Sequence, residues 1–301
     1  MDYAALKIIG KSLYQINIPK EMKRYLVFLG RCCLHKEEVE GLQHFFAANA
    51  LRQKLLAGNP AFLEQTTRSF FYKDATWQER INLVENHVKF LESVCRTELL
   101  TKIYCEQERI VLWEDTFEGK PLVMSLEFNA GQRKEGCLSL TLHWEKAYIY
   151  QIMFWLGAAQ EKKQKALWIG ALQGTALGND IVKAMTKQYF GYRTKNLIFY
   201  GARQLAALLG CQKIYAVTNA GYYAMNHVRV NRKLKTDFGV FWQECGGTLS
   251  TDPRFFVIPL EEKRKEMAEL KPSKRANHRR RYEMLDALSK TMEERMTNWL
   301  R

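Results

Sequence analysis

Two apolar segments on either side of a helical segment decide the fold. The first reads Ala166-Leu-Trp-Ile-Gly-Ala-Leu-Gln-Gly174, and the second reads Lys213-Ile-Tyr-Ala-Val-Thr-Asn219. Near-continuous apolar runs of this kind are typical of strands that are covered on both faces of a sheet. The residues between them, from about 196 to 209, have the apolar spacing of a helix and are followed by Gly210, a common helix end. A strand, a helix and a second strand in this order predict a parallel crossover.

The residues before this crossover predict an antiparallel meander. From about residue 103, apolar and polar residues alternate with the period of a strand. The turn-forming sequences Glu118-Gly-Lys-Pro and Asn129-Ala-Gly-Gln separate the segments. The predicted meander strands cover residues 109–114, 122–128, 137–144 and 148–154, and two closing strands are expected at 241–249 and 255–259. We therefore predict an α+β fold with a mixed, mostly antiparallel central sheet that contains one parallel crossover.

Helical regions are predicted on both sides of the sheet. Apolar residues recur at helical spacing early in the chain, so we expect residues 1–104 to form a helical region that packs on the sheet. Residues 105–265 are predicted to form the α/β domain. Residues 266–301 are predicted to form a basic amphipathic helix with Ser273 as its N-cap. This helix can pack on its own domain or lie on an anionic membrane surface, which Trp299 near its end would favour.

Positive charge is concentrated in one folded part of the chain. The formal net charge of the 301 residues is +14, and the 56 residues from Ile181 to Thr236 contain no Asp or Glu. The same stretch carries ten cations: Lys183, Lys187, Arg193, Lys195, Arg203, Lys213, Arg229, Arg232, Lys233 and Lys235. Because the stretch also has helix and strand patterns, it predicts a folded surface that binds an anion.

Composition and motifs exclude several classes of protein. With 47% hydrophobic residues the chain can bury a core, and no apolar segment is long enough to span a membrane. The N-terminal residues lack the apolar segment of a secretory signal. Seven cysteines without a C-x-x-C pair fit a reducing compartment, and the six histidines have no metal-ligand spacing. We expect a cytoplasmic protein, free or peripheral at the inner membrane, with no metal and no tightly bound cofactor.

The start of the crossover helix is a candidate phosphate site. Arg193 and Lys195 lie there, although cations oppose the positive end of a helix dipole. A phosphate or carboxylate between them would explain their position, and it would also be held by backbone amides after Gly191 and by Thr194 or Asn196. The alternative is that both cationic side chains point into water.

Several motifs in matching order resemble the VirK/YbjX family of Gram-negative bacteria. They are Trp168-Ile-Gly-Ala-Leu-Gln-Gly174, Gly191-Tyr-Arg-Thr-Lys195, Ala216-Val-Thr-Asn219, Arg229, Asp237, Phe241-Trp-Gln-Glu-Cys-Gly-Gly247, Pro272-Ser-Lys-Arg-Ala276 and Arg280-Arg-Tyr282. The resemblance covers most of the chain from about Ile8. It implies a link to virulence and to envelope integrity, including survival of cationic antimicrobial peptides, and it supplies no established active site.

The order of the predicted elements is similar to that of GNAT-type acyltransferases. In that fold, the loop before the crossover helix binds the pyrophosphate of acyl-CoA through backbone amides. Here Phe190-Gly-Tyr-Arg-Thr-Lys-Asn196 stands in place of the usual Gln/Arg-x-x-Gly-x-Gly/Ala loop, and an extra helix precedes it. The resemblance implies a phosphopantetheine-bearing acyl donor, either acyl-CoA or an acyl carrier protein, as co-substrate.

Candidate substrate and catalytic residues follow the two crossover strands, where ligands bind in open sheets. The predicted substrate pocket consists of Gln173, Gly174, Asn219, His227, Arg229, Arg232 and Trp242. The predicted catalytic residues are Tyr223, Asp237 and Glu244. Acyl transfer commonly needs a proton donor and a proton acceptor, so Tyr223 or His227 is assigned the first role and Asp237 or Glu244 the second.

Each of these residues has a structural alternative. Asn219 could cap a helix, and Tyr223 could be a core residue. Asp237 and Glu244 could be the ion partners of Arg229 and Arg232. The prediction therefore concerns the place of the site more than the role of each residue.

Two functions remain open from the sequence. The first is an acyltransferase that moves an acyl group to an envelope-related or protein acceptor. The second is a non-catalytic protein whose basic face binds an anionic membrane surface, nucleic acid or an acidic partner. No recognised nucleic-acid-binding motif accompanies the charge, so nucleic acid is the weakest of these partners.

Overall fold

A helical region precedes the sheet in the computed structural model, which describes residues 1–161, 163–174, 179–226 and 237–301. The helices before the sheet are α1 (Tyr3–Leu13), α2 (Pro19–Leu34), α3 (Lys36–Ala47), α4 (Ala50–Gly58), α5 (Ala61–Thr67), α6 (Trp77–Val94) and α7 (Thr97–Tyr104). They end where the sequence predicts the change from helix to strand.

The sheet follows, with further helices between and after its strands. The strands are β1 (Ile110–Phe117), β2 (Lys120–Glu127), β3 (Leu138–Trp144), β4 (Ala147–Ala158), β5 (Lys165–Gly174), β6 (Lys213–Val217), β7 (Thr248–Leu249) and β8 (Phe255–Ile258). The remaining α-helices are α8 (Asn179–Gln188), α9 (Thr194–Leu208), α10 (Phe238–Glu244) and α11 (Pro272–Thr297). Single 3-10 turns lie at Ala130–Gln132, Tyr223–Asn226 and Met267–Glu269.

The sheet has the order β1-β2-β3-β4-β5-β6-β8-β7. The strands β1 to β4 form the predicted antiparallel meander, and β5, the first strand of the predicted crossover, pairs antiparallel with β4. β5 and β6 are parallel, with α9 between them, and β8 returns antiparallel to β6. This topology confirms the predicted α+β class with a mixed, mostly antiparallel sheet and one parallel crossover.

The parallel strands stay together over only four residue pairs. Residues 166–169 of β5 pair with residues 213–216 of β6, and β6 ends at Val217. β5 continues to Gly174 alongside β4, where Gln173 lies opposite Gln151. The two parallel strands therefore separate beyond Ile169. In the described ranges, the last part of β5 has a partner strand on one side only.

A segment of the β2–β3 connection fills the place where the parallel strands separate. The pairing register of β4 and β5 shifts at Gly170, which marks a bulge in β5. The backbone carbonyl of Glu135 comes so close that a Cβ atom at Gly170 would lie 1.9 Å from its oxygen. Only glycine fits this position, and the contact fixes Glu135 against the sheet.

Helix α6 anchors the N-terminal helices to the sheet. A capping box of Thr76 and Glu79 starts it. The fully buried His87 accepts a hydrogen bond at Nδ1 from the backbone N–H of Leu156 (3.1 Å), so its Nε2–H donates to the hydroxyl of Tyr104 (2.8 Å). Burial lowers the pKa of His87 to about 3, which keeps the ring neutral in this role.

Helices α9 and α11 pack together on the sheet. α9 contacts β3, β4 and β5, whereas α11 contacts α9 and β1. The apolar side of α11 is buried in this contact, through Leu285, Leu288, Met292 and Met296. Packing on its own domain is therefore the observed arrangement. These four side chains are not available to a membrane surface.

The closing strand predicted at residues 241–249 is wrong. Residues 238–244 form helix α10, and only Thr248–Leu249 is extended. Asp237 caps the helix by accepting from the N–H of Val240, and Phe238, Phe241 and Trp242 are buried. Apolar residues at spacings of three and four belong on one face of a helix, and this spacing outweighs the apolar run that suggests a strand.

The predicted N-cap of the C-terminal helix is also wrong. The N-cap residue of α11 is Lys271, and Pro272 occupies the first helical position, so Ser273 lies inside the first turn. Proline suits this position because its missing N–H is not needed there. Among the helices in the described ranges, none is both long enough and apolar enough to cross a membrane.

Candidate functional site

The loop before α9 is held in place by the C-terminal helix. Phe190 and Gly191 both have positive φ angles, of 54° and 73°, so the chain turns sharply there. The carbonyl oxygen of Phe190 accepts hydrogen bonds from Asn277 Nδ2 (2.9 Å) and Arg281 Nη2 (2.7 Å) on α11. The predicted residue Gly191 therefore shapes a tight turn, and α11 fixes the position at which α9 begins.

The first turn of α9 contains buried polar atoms that have no hydrogen-bond partner among the described residues. Arg193 is the N-cap residue, and its side chain makes no capping hydrogen bond. Thr194 is fully buried, yet its hydroxyl has no hydrogen-bond partner within the part of the chain that is described. The same is true of the buried Oδ1 of Asn196. Buried polar atoms are normally paired, so such atoms beside the free amides of a helix start indicate a place for a ligand.

A cavity of about 390 Å³ opens at this helix start. Its walls come from β4, α8 and the start of α9: Tyr150, Val182, Lys183, Thr186, Arg193, Thr194 and Lys195. Three cations and two hydroxyl-bearing threonines line it, and no carboxylate is among these lining residues. The predicted phosphate-binding residues Arg193, Thr194 and Lys195 therefore share one concave, cationic surface.

Lys195 and Arg193 have different surroundings in this cavity wall. Burial lowers the pKa of Lys195 to about 8, and its Nζ lies 3.8 Å from the ring centroid of Phe241. The exposed Arg193 pairs with Glu244, with 2.5 Å between Nη2 and Oε2. Glu244 is therefore the counter-ion of a predicted phosphate-binding residue, whereas the structural alternative paired it with Arg229 and Arg232, which lie outside the described residues.

A buried carboxyl group lies at the end of β5. Glu135 is 1% exposed. Gln173 Nε2 donates to both carboxylate oxygens at 2.7 Å, and the hydroxyl of Tyr222 donates to Oε1. Gln132 Nε2 in turn donates to Gln173 Oε1 (3.1 Å), which orients the Gln173 amide. Gln173 is thus confirmed as a residue at the strand end, and its side chain contacts a carboxylate.

The pKa of Glu135 is raised to about 7. Burial is the main cause, and the hydrogen bonds from Tyr222 and Gln173 offset it only in part. Both donors are neutral groups. A carboxyl group that titrates near neutral pH beside a strand end is a candidate proton acceptor.

The cavity and this carboxyl group lie at the same end of β5 on opposite faces of the sheet, because Tyr150 and Gly174 share one face and the side chain of Gln173 points to the other. Tyr150 lines the cavity and lies opposite Gly174 on the neighbouring strand. The contact is close, because a Cβ atom at Gly174 would lie 2.7 Å from the Tyr150 ring. Gly174 follows Gln173, the partner of Glu135. The cationic cavity and the buried carboxyl group therefore flank the same end of β5.

Other predicted site residues make contacts that hold elements of the fold together. Asn219 Nδ2 donates to Asp237 Oδ1 (2.8 Å), and its Oδ1 accepts from the N–H of Phe238 (2.8 Å), so it joins the end of β6 to α10. The hydrogen bond from Asn219 lowers the pKa of Asp237. Trp242 is fully buried, and its Nε1 donates to the carbonyl of Val217 (3.0 Å).

Tyr223 lies next to Tyr222, which donates a hydrogen bond to the Glu135 carboxylate. Its ring makes edge contacts with Phe70 and Tyr222, at centroid distances of 6.2 Å and 4.9 Å. The other pocket predictions, His227, Arg229 and Arg232, lie outside the described residues. Across the described ranges, no cluster of three or more His, Cys, Asp or Glu side chains could hold a metal ion.

Sequence patterns missed Glu135 and Tyr222. Glu135 sits in a polar connection between two strands, and its partners Gln173 and Tyr222 are 38 and 87 residues further along the chain. Only the folded sheet brings them together. The one local feature of the sequence that marks Glu135 is the glycine that follows it, Gly136, in the connection between β2 and β3.

Comparison with known protein families shows which family the chain belongs to. The family described as "Protein of unknown function (DUF535)" matches residues 17–294. The chain belongs to this family. The VirK/YbjX resemblance is confirmed by its similarity to "Uncharacterized protein YbjX" of Escherichia coli K12, which is 31% identical over 179 residues.

The DUF535 chain aligns with its relatives to different extents. The YbjX match covers 58% of this chain and 53% of YbjX, so the chain spans about half the length of that relative. One uncharacterized protein of Haemophilus influenzae Rd is 23% identical over 279 residues, 91% of either chain. Another from the same organism is 27% identical over 194 residues, 62% of either chain. No solved structure matches this DUF535 protein.

Proposed function

We propose that the protein is an acyltransferase whose donor carries phosphate at the start of α9. The observation that carries this proposal is Thr194, which lines the cavity between Arg193 and Lys195 and whose buried hydroxyl has no hydrogen-bond partner among the described residues. A phosphate oxygen accepts hydrogen bonds from such a hydroxyl and from the first-turn amides. It also offsets the charge of Lys183, Arg193 and Lys195.

The donor we infer is acyl-CoA or an acyl carrier protein, because both present a phosphopantetheine arm. The cavity volume lies within the usual range of small-molecule sites, roughly 300–1,000 Å³. From the cavity, the arm passes Tyr150 and Gly174 at the end of β5 toward Glu135 on the other face of the sheet. The edge of β5 beyond the Gly170 contact, which has no partner strand in the described ranges, supplies backbone groups that can pair with the amides of the arm, as in the addition of a strand.

Glu135 is the proton acceptor in this proposal. As the acceptor amine or hydroxyl attacks the thioester carbon, a new C–N or C–O bond forms and the C–S bond breaks. The proton of the attacking group passes to Glu135, and the donor thiol leaves as thiolate and takes a proton from water. Gln173 and Tyr222 hold the carboxylate in position and are therefore positioning residues.

We place the reaction in the cytoplasm and the acceptor among envelope components or proteins. The basis is the VirK/YbjX resemblance, which implies a role in virulence, envelope stress and resistance to antimicrobial peptides. The acyl chain and the acceptor are the parts that a search for co-purifying ligands by mass spectrometry would identify.

The test is calorimetric titration of the full chain with CoA and with acylated carrier protein. We expect saturable binding that Arg193→Ala and Thr194→Val each weaken about tenfold, the effect of one charge-assisted hydrogen bond. Thr194→Ser keeps the hydroxyl and should keep the affinity. Arg279→Ala, which removes an exposed cation from α11, is the matched control and should bind as the wild type does.

Two results would overturn the proposal. One is the absence of saturable binding to either donor. The other is equal loss of affinity in Arg193→Ala and Arg279→Ala, together with binding to DNA that falls steeply with salt, since this is the behaviour of a basic surface without a built site.

A further inference from the structure

Exposed apolar side chains are concentrated on the first two helices. Among the described residues, ten large hydrophobic side chains are exposed, and seven of them precede residue 35: Tyr3, Ile8, Ile16, Ile18, Leu26, Val27 and Leu34. Leu34 is 83% exposed, Ile8 70% and Leu26 59%. Single exposed apolar residues are ordinary, but a concentration of this kind marks an interaction surface.

These side chains lie on the outer faces of α1 and α2. The inner faces pack tightly, because a Cβ atom at Gly10 would lie 2.6 Å from the ring of Tyr25, and Phe28 is also in contact. On α2, Leu26, Val27 and Leu34 recur at spacings of one, seven and eight residues, which places them on one side of the helix. The outer faces of α1 and α2 are therefore exposed and do not belong to the hydrophobic core.

The same two helices are cationic. Their exposed lysines, on the outer sides of α1 and α2, are Lys7, Lys11, Lys20 and Lys23. The first 34 residues hold two carboxylates, and both are engaged within their own helix. Asp2 accepts from the N–H of Ala5, and Glu21 pairs with Arg24. The lysines thus lie among apolar side chains without a neighbouring acid in this segment.

We propose that the outer faces of α1 and α2, with Ile16 and Ile18 in the connection between them, bind an anionic lipid bilayer. Apolar side chains of an interfacial helix enter the boundary between headgroups and acyl chains. Lysines on the same helix extend their aliphatic stems along the apolar surface and place the ammonium groups among the lipid phosphates. The surface has both components. It lies on elements separate from the α9 cavity.

Charge favours a bilayer over a second copy of this chain. In a twofold dimer through these faces, the same patch would meet itself, and the four lysines would face four lysines without a carboxylate between them. An anionic bilayer supplies the opposite charge. It also needs no complementary groove, so it suits apolar side chains that project from helix surfaces.

The test is co-sedimentation of the full chain with vesicles of phosphatidylcholine, either alone or mixed with phosphatidylglycerol. We expect binding to the mixed vesicles only. The triple variant Ile8→Ser, Leu26→Ser, Leu34→Ser should lower the partition coefficient by at least about tenfold, and Lys7→Gln with Lys23→Gln should lower it by about as much. The control Val240→Ser with Leu249→Ser removes exposed apolar side chains from elsewhere and should leave binding unchanged. Circular dichroism should show unchanged folding, because all substituted side chains are exposed.

Three outcomes would overturn the proposal. The first is that the wild type binds neither kind of vesicle. The second is that the triple variant and the control bind equally, which would show that vesicle binding depends on net charge and not on these apolar side chains. The third is a concentration-dependent dimer in light scattering that the triple variant abolishes while vesicle binding is absent, which would make a second copy the occupant.

Discussion

Arg193 and Glu244 form an ion pair at the edge of the cationic cavity, with 2.5 Å between Nη2 and Oε2. The pair joins the start of α9 to the end of α10. Both side chains are about half exposed, so the pair contributes little to stability. Its consequence concerns binding, because the proposed anionic donor at the α9 start would compete with Glu244 for the same guanidinium.

Glu244→Gln should strengthen donor binding. Removing the carboxylate frees Arg193 and adds one unit of positive charge to the site, so we expect the dissociation constant of CoA to fall by about two- to fivefold. Calorimetric titration measures this change. If Glu244 were the general base that the sequence suggests, the substitution would instead abolish turnover and leave donor affinity unchanged.

Glu135→Gln should alter the pH dependence of stability. The folded pKa of Glu135, about 7, lies above the ordinary value of 4.5, so the folded state binds more protons between these values than the unfolded state does. Its contribution is therefore full below pH 4.5 and is lost as the pH rises through 7, by up to about 3 kcal/mol. Urea unfolding at a series of pH values should show this loss in the wild type and its absence in the variant.

The matched control for this measurement is Glu127→Gln, another buried carboxylate. Burial raises the pKa of Glu127, but hydrogen bonds from His143 and Thr141 and the charge of Arg109 outweigh burial, and the net shift is downward. Its stabilising contribution is therefore lost as the pH falls. Identical pH profiles for the two variants would contradict the assignment. In an acyl-transfer assay, Glu135→Gln should lower kcat by about 10²- to 10⁴-fold.

Gly170→Ala should destabilise the fold and disturb the carboxyl site. The new methyl group would need the space of the Glu135 carbonyl oxygen, 1.9 Å away, so the backbone of the β2–β3 connection must move. We expect the free energy of unfolding to fall by at least about 2 kcal/mol. Gly41→Ala in α3 is the control, because its Cβ atom would meet nothing within 4 Å and alanine favours the helix. Equal stability of the two variants in urea unfolding would contradict the close contact.

The crossover can be predicted because residue patterns within short segments determine its two strands and its helix. The apolar runs around Trp168 and Tyr215 and the helical spacing between them are properties of short segments, and they correctly predict β5, α9 and β6. The start of α9 could be predicted to within two residues, since Arg193 and Lys195 mark it by opposing the dipole.

The rest of the site depends on contacts between distant segments. Glu135 acquires its raised pKa only after Gln173 and Tyr222 surround it, and no local pattern encodes that burial. Residues 241–249 were misassigned for a different reason. An apolar run before Gly246 and Gly247 suggests a strand, whereas Phe238, Phe241 and Trp242 have the spacing of a helix face that packs on the sheet, where Trp242 donates to Val217 of β6.

The hydrogen bonds from Asn277 and Arg281 to the carbonyl of Phe190 have a consequence for synthesis of the chain. The N-terminal part of a nascent chain emerges from the ribosome first. The sheet and α9 therefore emerge before α11, the helix that fixes the turn in front of α9. The turn in front of α9 gains these hydrogen bonds only after α11 has emerged and docked. A nascent chain that already contains every residue lining the cavity therefore still lacks the helix that fixes the turn in front of α9.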